Sequence, residues 1–159
     1  MTTFHASYEI CRGRFDEAVR NLSQPQLNWQ IHDHALSIGQ SALHVAGVEV
    51  WFIEQLTGVE QAELEQLKRC ATEGVVDEGP FPYAAGDITP ELVNSMLARA
   101  RATAEPILRH PSEELLRHEI KSALGPMITG HGALARLAFH PGYHHGQAHL
   151  IVTASDFPR

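Results

Sequence analysis

The chain has 159 residues, 43% of them hydrophobic and 19% charged, with 19 acidic against 12 basic side chains and a formal net charge of -7. This is one domain's worth of sequence, 1–159, long enough to bury its own core without a disulfide or structural metal, and its acidic balance argues against a dedicated nucleic-acid binder, which needs clustered Lys and Arg. Two cysteines, Cys11 and Cys70, are too few for a disulfide scaffold and read as reduced thiols of a cytoplasmic protein.

The N-terminal segment MTTFHASYEICRGRF lacks the apolar core of a signal peptide. Tyr8, Cys11, Phe15, Ala18, Val19 and Leu22 then recur at three- and four-residue steps, the stripe of an amphipathic helix. Ser23, Gln24 and Pro25 are expected to end it, and residues 27–33 to form a connector carrying Trp29. A second helix is expected over 36–56, with Gly58 as its stop. It is the most apolar part of the chain, yet it carries His44, Glu49 and Glu54, and nothing nears the ~20 apolar residues that span a bilayer. Residues 60–72 form a short, charged extra helix, and the Gly- and Pro-rich run 74–87 a long loop.

Thr89-Pro90-Glu91 combines an N-cap, a first-turn proline and an acid at the positive helix end. The third helix starts there, and Pro106 kinks or ends it. Arg109-His110-Pro111 is a break, 112–121 holds a helical turn, and the chain is irregular through Gly125-Pro126. A fourth helix runs from about 130 to 155, with a kink expected at Pro141-Gly142. Four long amphipathic helices with almost no period-2 alternation predict an all-α, antiparallel four-helix bundle with a long connection.

Eleven histidines are several times what a chain of this length usually carries. The segment FHPGYHHGQAH holds two pairs four residues apart, His140/His144 and His145/His149. On a helix, either pair stacks on one face and can share a metal ion. The first pair falls in line with Leu137 on the inward face. A third ligand should come from another helix, and His44, amid small and apolar neighbours, is the candidate. His5, His32, His34, His110, His118 and His131 lie near ends or loops and are expected in solvent. No HExxH occurs, so a zincin protease has no support.

SIGQSALHVAGVE, followed about a hundred residues later by HPGYHHGQ, resembles the DinB/YfiT-like superfamily. The resemblance implies a four-helix bundle whose metal is held by one histidine of the second helix, here His44, and an HxxxH pair on the last, here His140 and His144, followed by Gly146-Gln147. The sequence departs from the pattern at His145, where members commonly have Arg, and at Pro141-Gly142, where the helix is usually regular. The resemblance further implies a metal-dependent enzyme that uses a low-molecular-weight thiol as co-substrate, in S-transfer or isomerisation.

Three imidazoles leave metal positions open for a small-molecule substrate, with Zn the default and Ni or Fe also suited. A metal-bound thiol is deprotonated, and the same ion can activate water for hydrolysis. Glu49 is the candidate base, set against a salt-bridged structural role. Trp29, Tyr143 and Gln147 are candidate pocket residues. A non-catalytic metal-binding module, and pairing of leftover apolar faces into a homodimer, are the alternatives from outside enzymology.

Overall fold

The structure, a computed structural model, describes residues 2–123 and 125–159. Met1, the first residue of the segment read as lacking a leader, and Leu124, in the stretch expected to be irregular, lie outside the described residues. The protein is all-α in character: seven helices and one small antiparallel ribbon among the described residues. No described helix is long and apolar enough to cross a membrane.

Helix α1 spans Thr3–Val19, capped by Thr2, whose hydroxyl accepts from the His5 amide. Its buried stripe is His5, Tyr8, Arg12, Phe15 and Val19. The stripe thus includes a charge, Arg12, where the sequence pattern suggested Cys11. Ser23 does not terminate a helix as expected. It opens a short one, α2 (Gln24–Asn28), through a capping box with Gln26, and the proline belongs to its first turn.

Helix α3 (Ile38–Thr57) is the centre of the molecule. Ser37 and Gln40 cap its start reciprocally, and Gly58 ends it in the left-handed conformation at φ 68°. It packs on α1, α5 and α7 as well as on α2 and α4, so apolar residues face all around it. A 3-10 turn (Ala62–Leu64) leads into α4 (Glu65–Arg69). Helix α4 closes against α3 at Gly47, where a Cβ would stand 2.3 Å from the Leu67 carbonyl oxygen, so glycine is required.

Helix α5 (Pro90–Arg109) starts as expected at the Thr89 cap and continues through Pro106 to Arg109. Residues 112–121, expected to hold one helical turn, form α6 (Glu113–Arg117) and the strand β1 (Glu119–Lys121), which pairs antiparallel with β2 (Met127–Thr129), Ile120 opposite Ile128. Helix α7 (Gly130–Val152) runs continuously past Pro141, three residues short of the expected 155. It packs along α1, where Gly142 lets the helices approach: a Cβ there would meet Cys11 Sγ at 2.9 Å.

Two apolar clusters fill the interior. One gathers Phe15, Leu27, Ile38, Leu43, Leu67 and Ile88, the other Tyr8, Phe52, Ile53, Leu108, Leu134 and Leu137. Burying each large side chain contributes roughly 1.5–3 kcal/mol.

Candidate metal centre

His44 is fixed by the packing that encloses α3. Its ring is 6% exposed, and Nδ1 lies 2.8 Å from the carbonyl oxygen of Cys70, just beyond α4. A carbonyl can only accept, so Nδ1 carries the proton and Nε2 keeps its lone pair. His140 and His144 stand one turn apart on α7, with Nε2 atoms 3.1 Å from each other. The His44 ring centroid is 4.9 Å from that of His140 and 5.0 Å from that of His144. One ligand nitrogen from each residue falls within a group spanning at most 4.8 Å.

Burial, which penalises the charged ring, pushes His140 down to about 2 and His144 down to about 3, and the neighbouring histidines push the same way. Burial also lowers His44, against the opposing hydrogen bond to Cys70. Near neutral pH all three are therefore uncharged ligand bases. The Nδ1 atoms of His140 and His144 are buried without a hydrogen-bond partner. Two neutral rings that meet through like nitrogens must share either a proton or a cation. Nitrogens each ~2.1 Å from one zinc ion sit ~3–3.5 Å apart, which the 3.1 Å spacing matches. The residues fit a divalent ion, and among the described residues no Asp or Glu belongs to the group.

The three histidines line a cleft of about 680 Å³ together with Tyr143, Gln147, His32 and His34. His32 and His34 are exposed as expected, but they sit at this cleft rather than away from it. Tyr143 and Gln147 line this cleft, and Gln147 Nε2 donates to Tyr143 Oη at 3.0 Å. On the other side His44 and His140 border a second cavity of about 400 Å³, with Val48, Phe52, Phe139 and Arg136. Neither cavity is lined by an Asp or Glu among the described residues.

The other candidates lie elsewhere. Glu49 is 1% exposed, accepts from Arg12 Nε at 2.8 Å and from Tyr8 Oη at 3.0 Å, and lines neither cavity. It is a buried ion-pair partner rather than a base facing the histidines. Trp29 packs edge-on against Phe157 at 5.7 Å, as core cover. Cys11 and Cys70 are both free, and burial followed by the Glu73 charge pushes the Cys70 thiol up to about 12, which keeps it protonated.

His5, expected in solvent, is 2% exposed and forms a second group with Glu9 and Glu105. That group is already neutralised: Arg101 pairs with both carboxylates and Arg109 with Glu105 at 2.5 Å. A cation there would face two guanidinium groups. The sequence reading missed Cys70 as a partner of His44, and Arg12 as the counter-charge of Glu49. A backbone carbonyl leaves no trace in a side-chain pattern, but Arg12 could have been found from its place between Tyr8 and Phe15.

No family model and no curated protein matches the sequence. The fold is similar to the crystal structure of a conserved protein from Enterococcus faecalis, with a TM-score of 0.71, 18% identity and 95% of each chain covered. At that identity the likeness concerns the fold.

Proposed function

We propose that the protein is a metal-dependent enzyme of the DinB/YfiT-like four-helix-bundle type, which uses His44, His140 and His144 to hold a divalent ion and a low-molecular-weight thiol as co-substrate in S-transfer. The observation that carries this reading is the convergence of three uncharged imidazoles at the base of an open cleft, one of them aimed by the Cys70 carbonyl. A divalent ion bound there, zinc by default, would lower the pKa of a thiol so that its sulfur attacks at neutral pH.

The chain's own residues divide the remaining work. His44 presents Nε2 because Nδ1 is committed to Cys70. Tyr143 accepts from Gln147, so its own hydroxyl hydrogen is left to donate to a substrate in the cleft. A thiol held by the ion would need no separate base, and no carboxylate that could serve a water as base borders the cavities among the described residues.

The test is direct. Untagged protein should carry close to one metal ion per chain, and H44A should carry almost none. With metal loaded, a thiol such as glutathione and an aryl halide should turn over at a rate that falls to background in H44A. Hydrolysis of esters or amides without added thiol would reassign the site to a hydrolase, and absence of bound metal would overturn the reading altogether.

A further inference from the structure

We infer that the cavity on the Phe139 side of the histidines is a binding site for a small organic carboxylate, with Arg136 as the residue that recognises its charge. Arg136, His140 and His144 recur every four residues along one face of α7. Arg136 therefore stands roughly 6 Å along the axis from His140. Its Nη1 donates to Ser122 Oγ at 2.5 Å, and Ser122 is itself only 3% exposed. That bond holds the guanidinium at the cavity wall. Among the described residues no carboxylate pairs with Arg136, whereas Arg12, Arg69, Arg99, Arg101, Arg109 and Arg117 have acidic partners; Arg14, Arg20 and Arg159 also have none, but of these four arginines Arg136 is the one that lines this cavity.

The rest of the wall is apolar. Val48 and Phe52 form its buried side, while Phe139 and Val76 flank the mouth at 64% and 44% exposure. Exposed apolar side chains around one cation describe a ligand with a hydrocarbon body and an anionic end. A planar guanidinium suits a carboxylate in two-point contact. The body of such a ligand would cover Phe139 and direct its other end toward His140. The inference rests on the proposed function only for what happens at that end, since carboxylate binding itself needs no metal.

The full chain is titrated with 3-phenylpropanoate and, as the uncharged counterpart, 3-phenylpropanamide, in EDTA, with methyl NMR of Val48, Val76 and Ala71 as readout. The acid should bind saturably and at least tenfold more tightly than the amide. R136Q should bring the acid to the affinity of the amide, R136K should keep part of the preference, and R117Q, at an exposed arginine on α6, should leave it intact. Equal binding of acid and amide, no saturable binding of the acid, or a preference that survives R136Q would overturn the inference. Zinc stoichiometry is measured separately. A chain that holds no zinc yet keeps its Arg136-dependent preference in EDTA sinks the proposed function and leaves the carboxylate site standing.

Discussion

His44 and Cys70 are joined by a 2.8 Å hydrogen bond from Nδ1 to the backbone carbonyl, and that bond decides which nitrogen of His44 faces His140 and His144. It depends on Gly47, one turn along α3, because a Cβ there would stand 2.3 Å from the Leu67 carbonyl oxygen and 3.2 Å from Cys70 Cβ. G47A should push the end of α4 away, cost about 1–3 kcal/mol in urea unfolding and weaken zinc affinity about 10–100-fold. Unchanged zinc affinity in a destabilised G47A would show that the Cys70 contact does not orient the ligand.

The two HxxxH pairs of α7 can be told apart. His144 is buried and His140 half-buried at the cleft, whereas His149 is exposed and neither His145 nor His149 lines a cavity. H140A and H144A should each lower bound zinc at least tenfold, and H145A and H149A should leave it near one per chain. Elemental analysis of the four purified proteins checks this. Loss of zinc in H145A alone would mean that the other pair binds.

The metal-free protein should lose stability in mild acid. The folded-state pKa values of His44, His140 and His144 are lowered by burial, so below the unfolded value near ~6.5 the unfolded chain takes up protons that the folded chain refuses. Stability is full above that pH. It falls as pH drops toward the folded values of about 2 and about 3 for His140 and His144. The loss is up to ~1.4 kcal/mol per pH unit for each ring. Urea midpoints in EDTA at pH 7.5, 6.0 and 5.0 should decline, and the triple alanine variant should flatten the trend.

Arg12 and Glu49 are both essentially inaccessible to solvent, and Arg12 also donates from Nη2 to the Leu97 carbonyl at 2.7 Å. Removing Arg12 strands the Glu49 carboxylate, whereas Arg12 without Glu49 keeps Asp16 as a partner, so R12M should cost about 3–5 kcal/mol and E49L less. The R12M/E49L double variant should recover much of that loss. Chemical denaturation of the set reads it out. If folded E49L retains turnover, the structural role of the carboxylate stands. A loss of turnover with zinc still bound would restore it as a base.

The long helices were legible because their ends and faces are written locally. Thr89-Pro90 marks the start of α5 in residues that need no partner to be recognised. Ser23 shows the limit of such punctuation, since the same residue types that stop one helix begin another, and Gln26 three residues later was the deciding signal. Strands of three residues, as in β1 and β2, are too short for an alternating pattern to emerge. Helix α7 continues through Pro141, so the lost backbone bond is outweighed by the packing of Leu134, Leu137, Ala138 and Ile151 in the two apolar clusters.

The histidine group was legible for a related reason. Spacing on α7 and the apolar setting of His44 are sequence properties, whereas the distance between the two helices is not. The environment of His5 was missed because closeness to the chain end says nothing about what α5 places against it: Glu105 lies 3.4 Å from its Nε2. The salt-bridged role weighed for Glu49 is the one observed, but Arg12 could not be named as its partner because the two are 37 residues apart and only tertiary packing joins them.

His44 and His140 border both cavities, so the rings form a partition with a chamber on either side. A molecule lodged beside Phe139 leaves the approach past Tyr143 uncovered. For an enzyme of the proposed kind, two reactants would meet across the partition instead of queuing at a single door. Order of addition would then be random, with intersecting initial-rate lines whichever reactant is varied, and an occupant of one chamber would not compete with arrivals in the other.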